Sequence, residues 1–157
     1  MSLLSIQDRY PEAFSHCFGC GKSNPHGHRL KSWYVNKQVQ ATFTIPKIYC
    51  GGVPGFAYGG IVASLLDCHG TAAAAAFHCA DEGTVLDDRP IATRYVTASL
   101  SVEFLQPTPL EVELSLVGKL HHSEGRKVFV DLEMGRDGTT FATARMLAIR
   151  LKNELDE

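Results

Sequence analysis

The stretch Gly60-Ile-Val-Ala-Ser-Leu-Leu-Asp67-Cys-His-Gly-Thr-Ala-Ala-Ala-Ala-Ala-Phe77 limits what this chain can fold into more than any other. A helix here, from about Gly60 to Ala80, is apolar on nearly every face. It has no side to give to water and must be enclosed by other elements. One carboxylate, Asp67, falls inside it. An isolated charge in an apolar interior is costly, so Asp67 is expected to be buried and either partnered or employed in chemistry.

The rest of the chain supplies strands to enclose that helix. Leu30 to Val35 reads as a strand, and Val39, Ala41, Phe43 and Ile45 alternate with polar residues. Pro46 to Tyr58 is a Gly- and Pro-rich loop leading into the helix. After a polar connection at 81–92 come four strands, expected as a consecutive antiparallel meander. Val96, Ala98, Leu100, Val102 and Phe104 alternate up to Pro107-Thr-Pro109; Leu110 to Leu116 alternates next. Val128 to Met134 follows the Ser123-Glu-Gly125 turn. Arg136-Asp137-Gly138 is a hairpin signal before a last strand at about 140–151. One long helix and about six antiparallel strands must bury each other, which makes an α+β fold with a curved sheet wrapped around a central helix.

At 157 residues this is a single domain: a lead-in and Cys/Gly/Pro-rich loop over 1–28, then the main body over 29–157. A formal charge of -2 gives no electrostatic case for nucleic acid or an anionic membrane. The N-terminus lacks a basic region followed by an apolar core, so no secretory signal is read. The helix reads as a soluble core, not a membrane span. Five cysteines, an odd count at irregular spacing, argue for reduced thiols and a cytoplasmic protein.

Three features carry a resemblance. Gly59-Gly60 opens the helix and Asp67 lies seven residues past the second glycine. Thr97 stands ten residues before Pro107, which ends the strand after the helix. Cys17-Phe-Gly-Cys20-Gly21 runs through Asn24-Pro25-His-Gly27. Together these resemble the hotdog-fold acyl-CoA thioesterases, specifically the phenylacetate-pathway (PaaI-type) family, over roughly residues 17–150. Tyr58 stands where that family's His-Gly-Gly pattern has histidine. The asparagine often found in the preceding loop has no counterpart; Gly51-Gly52 lie about there. The resemblance implies hydrolysis of an acyl-CoA to a free acid and CoA, with no cofactor beyond the CoA of the substrate. It also implies a homodimer, with tetramers common among its members.

A thioester hydrolase must polarise a carbonyl and activate or replace water. The free N–H groups and positive end of a helix N-terminus suit a developing oxyanion. Gly59 is assigned that role, with Gly60 in support, and Asp67 that of general base or nucleophile. Thr97 would orient the water or the carboxylate, although simple alternation puts it on the polar face unless the strand is bulged. Tyr58, Phe56, Arg126 and Lys127 are candidates for contacts to acyl group and CoA; Trp33 and Phe77 are further candidates for an aromatic pocket.

Eight residues separate Gly59 from Asp67, about 12 Å along a helix axis. One reacting carbon cannot touch both in a single chain. Two copies with antiparallel helices would bring Gly59 of one to Asp67 of the other.

Blander readings stand beside these. Asp67 pairs with Thr71 one turn on, and Gly59-Gly60 is a hinge. Cys17-x-x-Cys20 with His16, His26 or His28 suggests zinc, but no second Cys pair follows, and a tight turn with no metal is the reading taken. Cys68 and His69 read as core packing. Two rival functions remain: a hotdog acyl-thioester dehydratase, and a non-catalytic acyl-CoA or aromatic-ligand binder.

Overall fold

The computed structural model describes residues 4–152. Helix α1 spans Gly59–Asp81. The strands are β1 Trp33–Val35, β2 Gln38–Thr44, β3 Tyr95–Phe104, β4 Glu113–Glu124, β5 Lys127–Arg136 and β6 Thr139–Arg150. They form one antiparallel sheet in the order β1-β2-β4-β5-β6-β3. This is the α+β arrangement expected, a curved sheet around one long helix.

The predicted alternation matches the inward faces of β2, β4 and β5. Val39 and Ala41, Leu114 and Leu116, and Val128, Val130, Leu132 and Met134 are all buried. Ala72 to Ala76 are each no more than 1% exposed. Their small side chains let the sheet close on the helix. Gly118 shows how tightly: a Cβ there would lie 3.0 Å from the Ala73 Cβ. Just past α1, Gly83 has a φ of +74° that suits glycine; its N–H donates to Ala80 O and that of Thr84 to Cys79 O, closing the last turn. Type I′-like turns with positive φ at Asn36-Lys37 and Asp137-Gly138 join the tight hairpins.

Two expectations need correction. The four strands after the helix are not one meander. β4, β5 and β6 are, but β3 pairs with β6 at the sheet edge, and the chain then crosses through Pro107-Thr-Pro109 to lay β4 beside β2. Alternation reports which face a residue takes, not which strand lies beside it. The strand bounds also differ: the first strand is shorter than Leu30–Val35, and the strand expected from Leu110 begins only at Glu113 and runs through Ser123 and Glu124 to a turn at Gly125-Arg126. Leu30 and Ser32 instead bond the N-terminal segment, Leu30 N–H to Gly19 O at 3.1 Å and Ile6 N–H to Ser32 O at 2.8 Å.

His69 locks that segment to the helix. It is fully buried; Nε2 lies 3.0 Å from Val39 O and Nδ1 2.9 Å from Ser32 Oγ. A carbonyl only accepts, so Nε2 carries the proton and the Ser32 hydroxyl donates to Nδ1. Ser32 Oγ in turn accepts from Gln7 Nε2. Burial pushes His69 from 6.5 down to about 4. Between those values the unfolded chain binds a proton that the native state refuses. The associated stability, about 3 kcal/mol, is complete above pH 6.5 and is lost as pH falls toward 4. Urea unfolding of wild type and His69→Gln at pH 7 and pH 4 is expected to show the variant's stability falling less with acidification by about that amount. Parallel losses in the two proteins would contradict it.

Candidate active site

Asp67 is not enclosed. It is partly exposed, on a stripe of α1 that the sheet leaves open: Gly59 and Gly60 are exposed, and Ala63 and Ser64 are only partly covered. These positions repeat every three to four residues, so they form one face of the helix. The Thr71 hydroxyl donates to Cys68 O, not to Asp67.

The Thr97 hydroxyl donates to the Asp67 carboxylate in a very short contact. Simple alternation placed Thr97 on the outer face; a bulge reverses it. Thr97 pairs with Ala148 and Ser99 with Leu147, so Ala98 is the extra residue. Ala148 and Met146 face the core, and they oppose Thr97 and Leu100. Inward positions are therefore odd before the bulge and even after it.

β3 runs back along the first half of α1. Thr97 meets Asp67, and at the other end the Phe104 ring lies against Gly59, 3.3 Å from where a Cβ would stand. The start of α1 is anchored from two sides. Tyr58 N–H donates to Tyr49 O at 3.0 Å and Ala57 N–H to Thr108 O at 2.8 Å. Tyr58 is the N-cap residue, extended at φ -69°, ψ 148°, with no side-chain cap. Gly59 follows as the first helical residue, with no carbonyl four residues back within the helix for its N–H. It forms a shared wall of two shallow cavities. One, about 420 Å³, is lined by Val62, Phe104, Leu105 and Pro107; the other, about 350 Å³, by Gly51, Gly52, Phe56 and Tyr58. A larger depression of about 460 Å³ lies on the outer face of the sheet among Glu103, Lys119, Asp131 and Arg145. It contains neither Gly59 nor Asp67, and its walls include the Arg145–Asp131 ion pair.

The other candidates are spread out. Phe56 and Tyr58 stand beside Gly59, with the Tyr58 ring covering Gly60; a Cβ there would lie 2.2 Å from it. Arg126 and Lys127 sit at the β4–β5 hairpin. Lys127 pairs with Ile149, which pairs with Val96. The hairpin therefore lies at the Thr97 end of the sheet, away from Gly59. Trp33 and Phe77 do not join Phe56 and Tyr58. Trp33 lies over β2 near Gln40 and Thr42, and Phe77 packs on Tyr34 near the helix C-terminus. Phe104 and Leu105 are the residues the sequence reading missed. Both were visible as apolar residues just before Pro107, but nothing local showed that they would border the helix start.

A family model described as the Thioesterase superfamily matches residues 54–142, a span that holds Gly59, Asp67 and Thr97. The chain belongs to the thioesterase superfamily. A thioesterase superfamily protein from Shewanella loihica PV-4 is 35% identical, with a TM-score of 0.64 over 90% of this chain and 98% of that one. The PaaI protein of E. coli, from the phenylacetic acid degradation operon, is 21% identical with a TM-score of 0.56 over 73% and 76% of the two chains, and shares the fold. The acyl-coenzyme A thioesterase THEM4 of Xenopus laevis is 34% identical over 89 residues, 57% of this chain and 34% of its own length. The chain spans about a third to a half of the length of the curated relatives it matches.

Proposed function

We propose that this protein hydrolyses an acyl-CoA to a free carboxylic acid and CoA, at two equivalent sites formed between two copies of the chain. The observation that carries the reading is the Thr97–Asp67 contact on the open stripe of α1, with the uncapped Gly59 on the same stripe. In the reaction the thioester oxygen takes a hydrogen bond from the Gly59 N–H. Asp67 removes a proton from water as the water oxygen adds to the carbonyl carbon. Collapse of the tetrahedral intermediate breaks the carbon–sulfur bond, and the CoA thiolate takes up a proton. Direct attack by Asp67, followed by hydrolysis of the anhydride, uses the same groups. Thr97, donating to one carboxylate oxygen, orients the other.

Two copies are needed because Gly59 and Asp67 stand about 12 Å apart on one helix. β3 supplies the means of pairing. Among the described residues it pairs only with β6, and its far edge is open. Val96, Phe104 and Leu105 are exposed at 42%, 55% and 53% along and just beyond it. A long apolar edge strand of this kind invites a second strand. A second β3 docked antiparallel would set the two open helix stripes side by side, running in opposite directions. The Arg126-Lys127 hairpin, near the Asp67 end, is suited to the CoA phosphates.

Turnover of a panel of acyl-CoAs, followed by release of the CoA thiol, tests the activity. Stoichiometric binding without turnover across the panel would favour the non-catalytic binder. The Tyr58 ring over Gly60, where the related pattern has histidine, is the observation on that side.

A further inference from the structure

We propose that Cys17, Cys20 and Cys68 form a binding site for zinc(II), with water in the fourth position. The three sulfurs lie within 4.8 Å of one another, and Cys17 Sγ is 3.7 Å from Cys68 Sγ. Zinc–sulfur bonds of about 2.3 Å at tetrahedral angles place sulfurs about 3.8 Å apart, so the cluster is close to ligand spacing as it stands. No further ligand stands at suitable spacing nearby in the sequence. The third thiol comes from the central helix, 51 residues beyond Cys17. Two of the local histidines are engaged elsewhere: His16 pairs with Glu12, and His28 packs on Phe18 and Tyr49.

The loop is built to present sulfur. The Gly21 N–H donates to Cys17 O at 2.7 Å, closing the turn that carries Cys17 and Cys20. A Cβ at Gly19 would lie 2.2 Å from Cys68 Sγ, so only glycine lets the loop press this closely on the helix. Cys20 and Cys68 are buried, while Cys17 is partly open, giving an entry route and a place for water.

A nearby cation is compatible with the site. Three thiolates on a dication leave one net negative charge. Arg94, 4.6 Å over the Tyr10 ring, interacts first with Tyr10 and then electrostatically with Cys20 and Cys17. A cation beside the cluster offsets the net charge of an anionic metal–thiolate centre. The centre would staple the N-terminal segment to α1 at the residue next to Asp67. The inference does not depend on thioester hydrolysis, and its test reads metal binding alone.

The test uses the full chain, reduced, stripped with chelator and titrated without oxygen, first with cobalt(II) and then with zinc(II). The expected result is about one cobalt per chain, with a sulfur-to-cobalt charge-transfer band and the visible bands of a tetrahedral site, displaced by zinc. Zinc should also shield three of the five thiols from a thiol reagent. Cys17→Ser, Cys20→Ser and Cys68→Ser should each abolish the band, while Cys50→Ser keeps it. Absence of the band in wild type at stoichiometric cobalt overturns the proposal. So does a band that survives Cys68→Ser, or reduced protein that binds no cobalt but forms a Cys17–Cys68 disulfide in air. The wild-type titration and thiol protection decide the matter even where a variant fails to fold.

Discussion

Asp67→Asn is expected to lower kcat for acyl-CoA hydrolysis at least a hundredfold, about 2.7 kcal/mol of transition-state stabilisation. Asparagine keeps the size of the side chain and keeps an oxygen to accept from Thr97, so the geometry at β3 persists. What is lost is the ability to take a proton or to attack a carbonyl. KM should change little, because the carboxylate is not proposed to bind the ground-state substrate. Steady-state kinetics on the best acyl-CoA of the panel measure both. Equal kcat in the two proteins would remove Asp67 from the chemistry.

Gly59→Pro is expected to cost between about a hundredfold and a thousandfold in kcat, the range for losing one oxyanion donor. A backbone N–H is usually out of reach of mutation, but this one is accessible. Gly59 is the first residue of α1, where proline is well tolerated and no intrahelical hydrogen bond is given up. Tyr58 before it is already extended, as a residue preceding proline must be. A Cβ at this position meets only Phe104, a residue 55% exposed and free to yield. Circular dichroism and the thermal unfolding midpoint should therefore stay close to wild type while turnover falls. Unchanged turnover in a folded variant would place the oxyanion donor elsewhere.

Both predictions rest on features that differ in how far the sequence displays them. The helix, the inward faces of β2, β4 and β5 and the Asp137-Gly138 turn were legible because each is written in local periodicity or turn chemistry. The partner of β3 was not, since alternation carries no information about neighbours. The orientation of Thr97 depended on a bulge at Ala98, a residue with no signature of its own. Asp67 was misjudged for a related reason. Ala63, Ser64 and Gly60 look like core residues beside Leu65 and Leu66, but small residues equally suit a face that another surface covers. The apolar count around the helix was right; the assumption that the sheet covers every face of it was not. Cys68 shows the same limit, since its two thiol neighbours come from a loop far away in sequence.

The most direct test of a shared site is a heterodimer. One chain carries Asp67→Asn and the other Gly59→Pro; the two are co-expressed with different tags and isolated by sequential affinity steps. Each parent homodimer is nearly inactive. In the heterodimer, Gly59 of the first chain meets Asp67 of the second, restoring one of two sites, and about half of wild-type turnover is expected. A heterodimer no more active than its parents would contradict a site built from two chains.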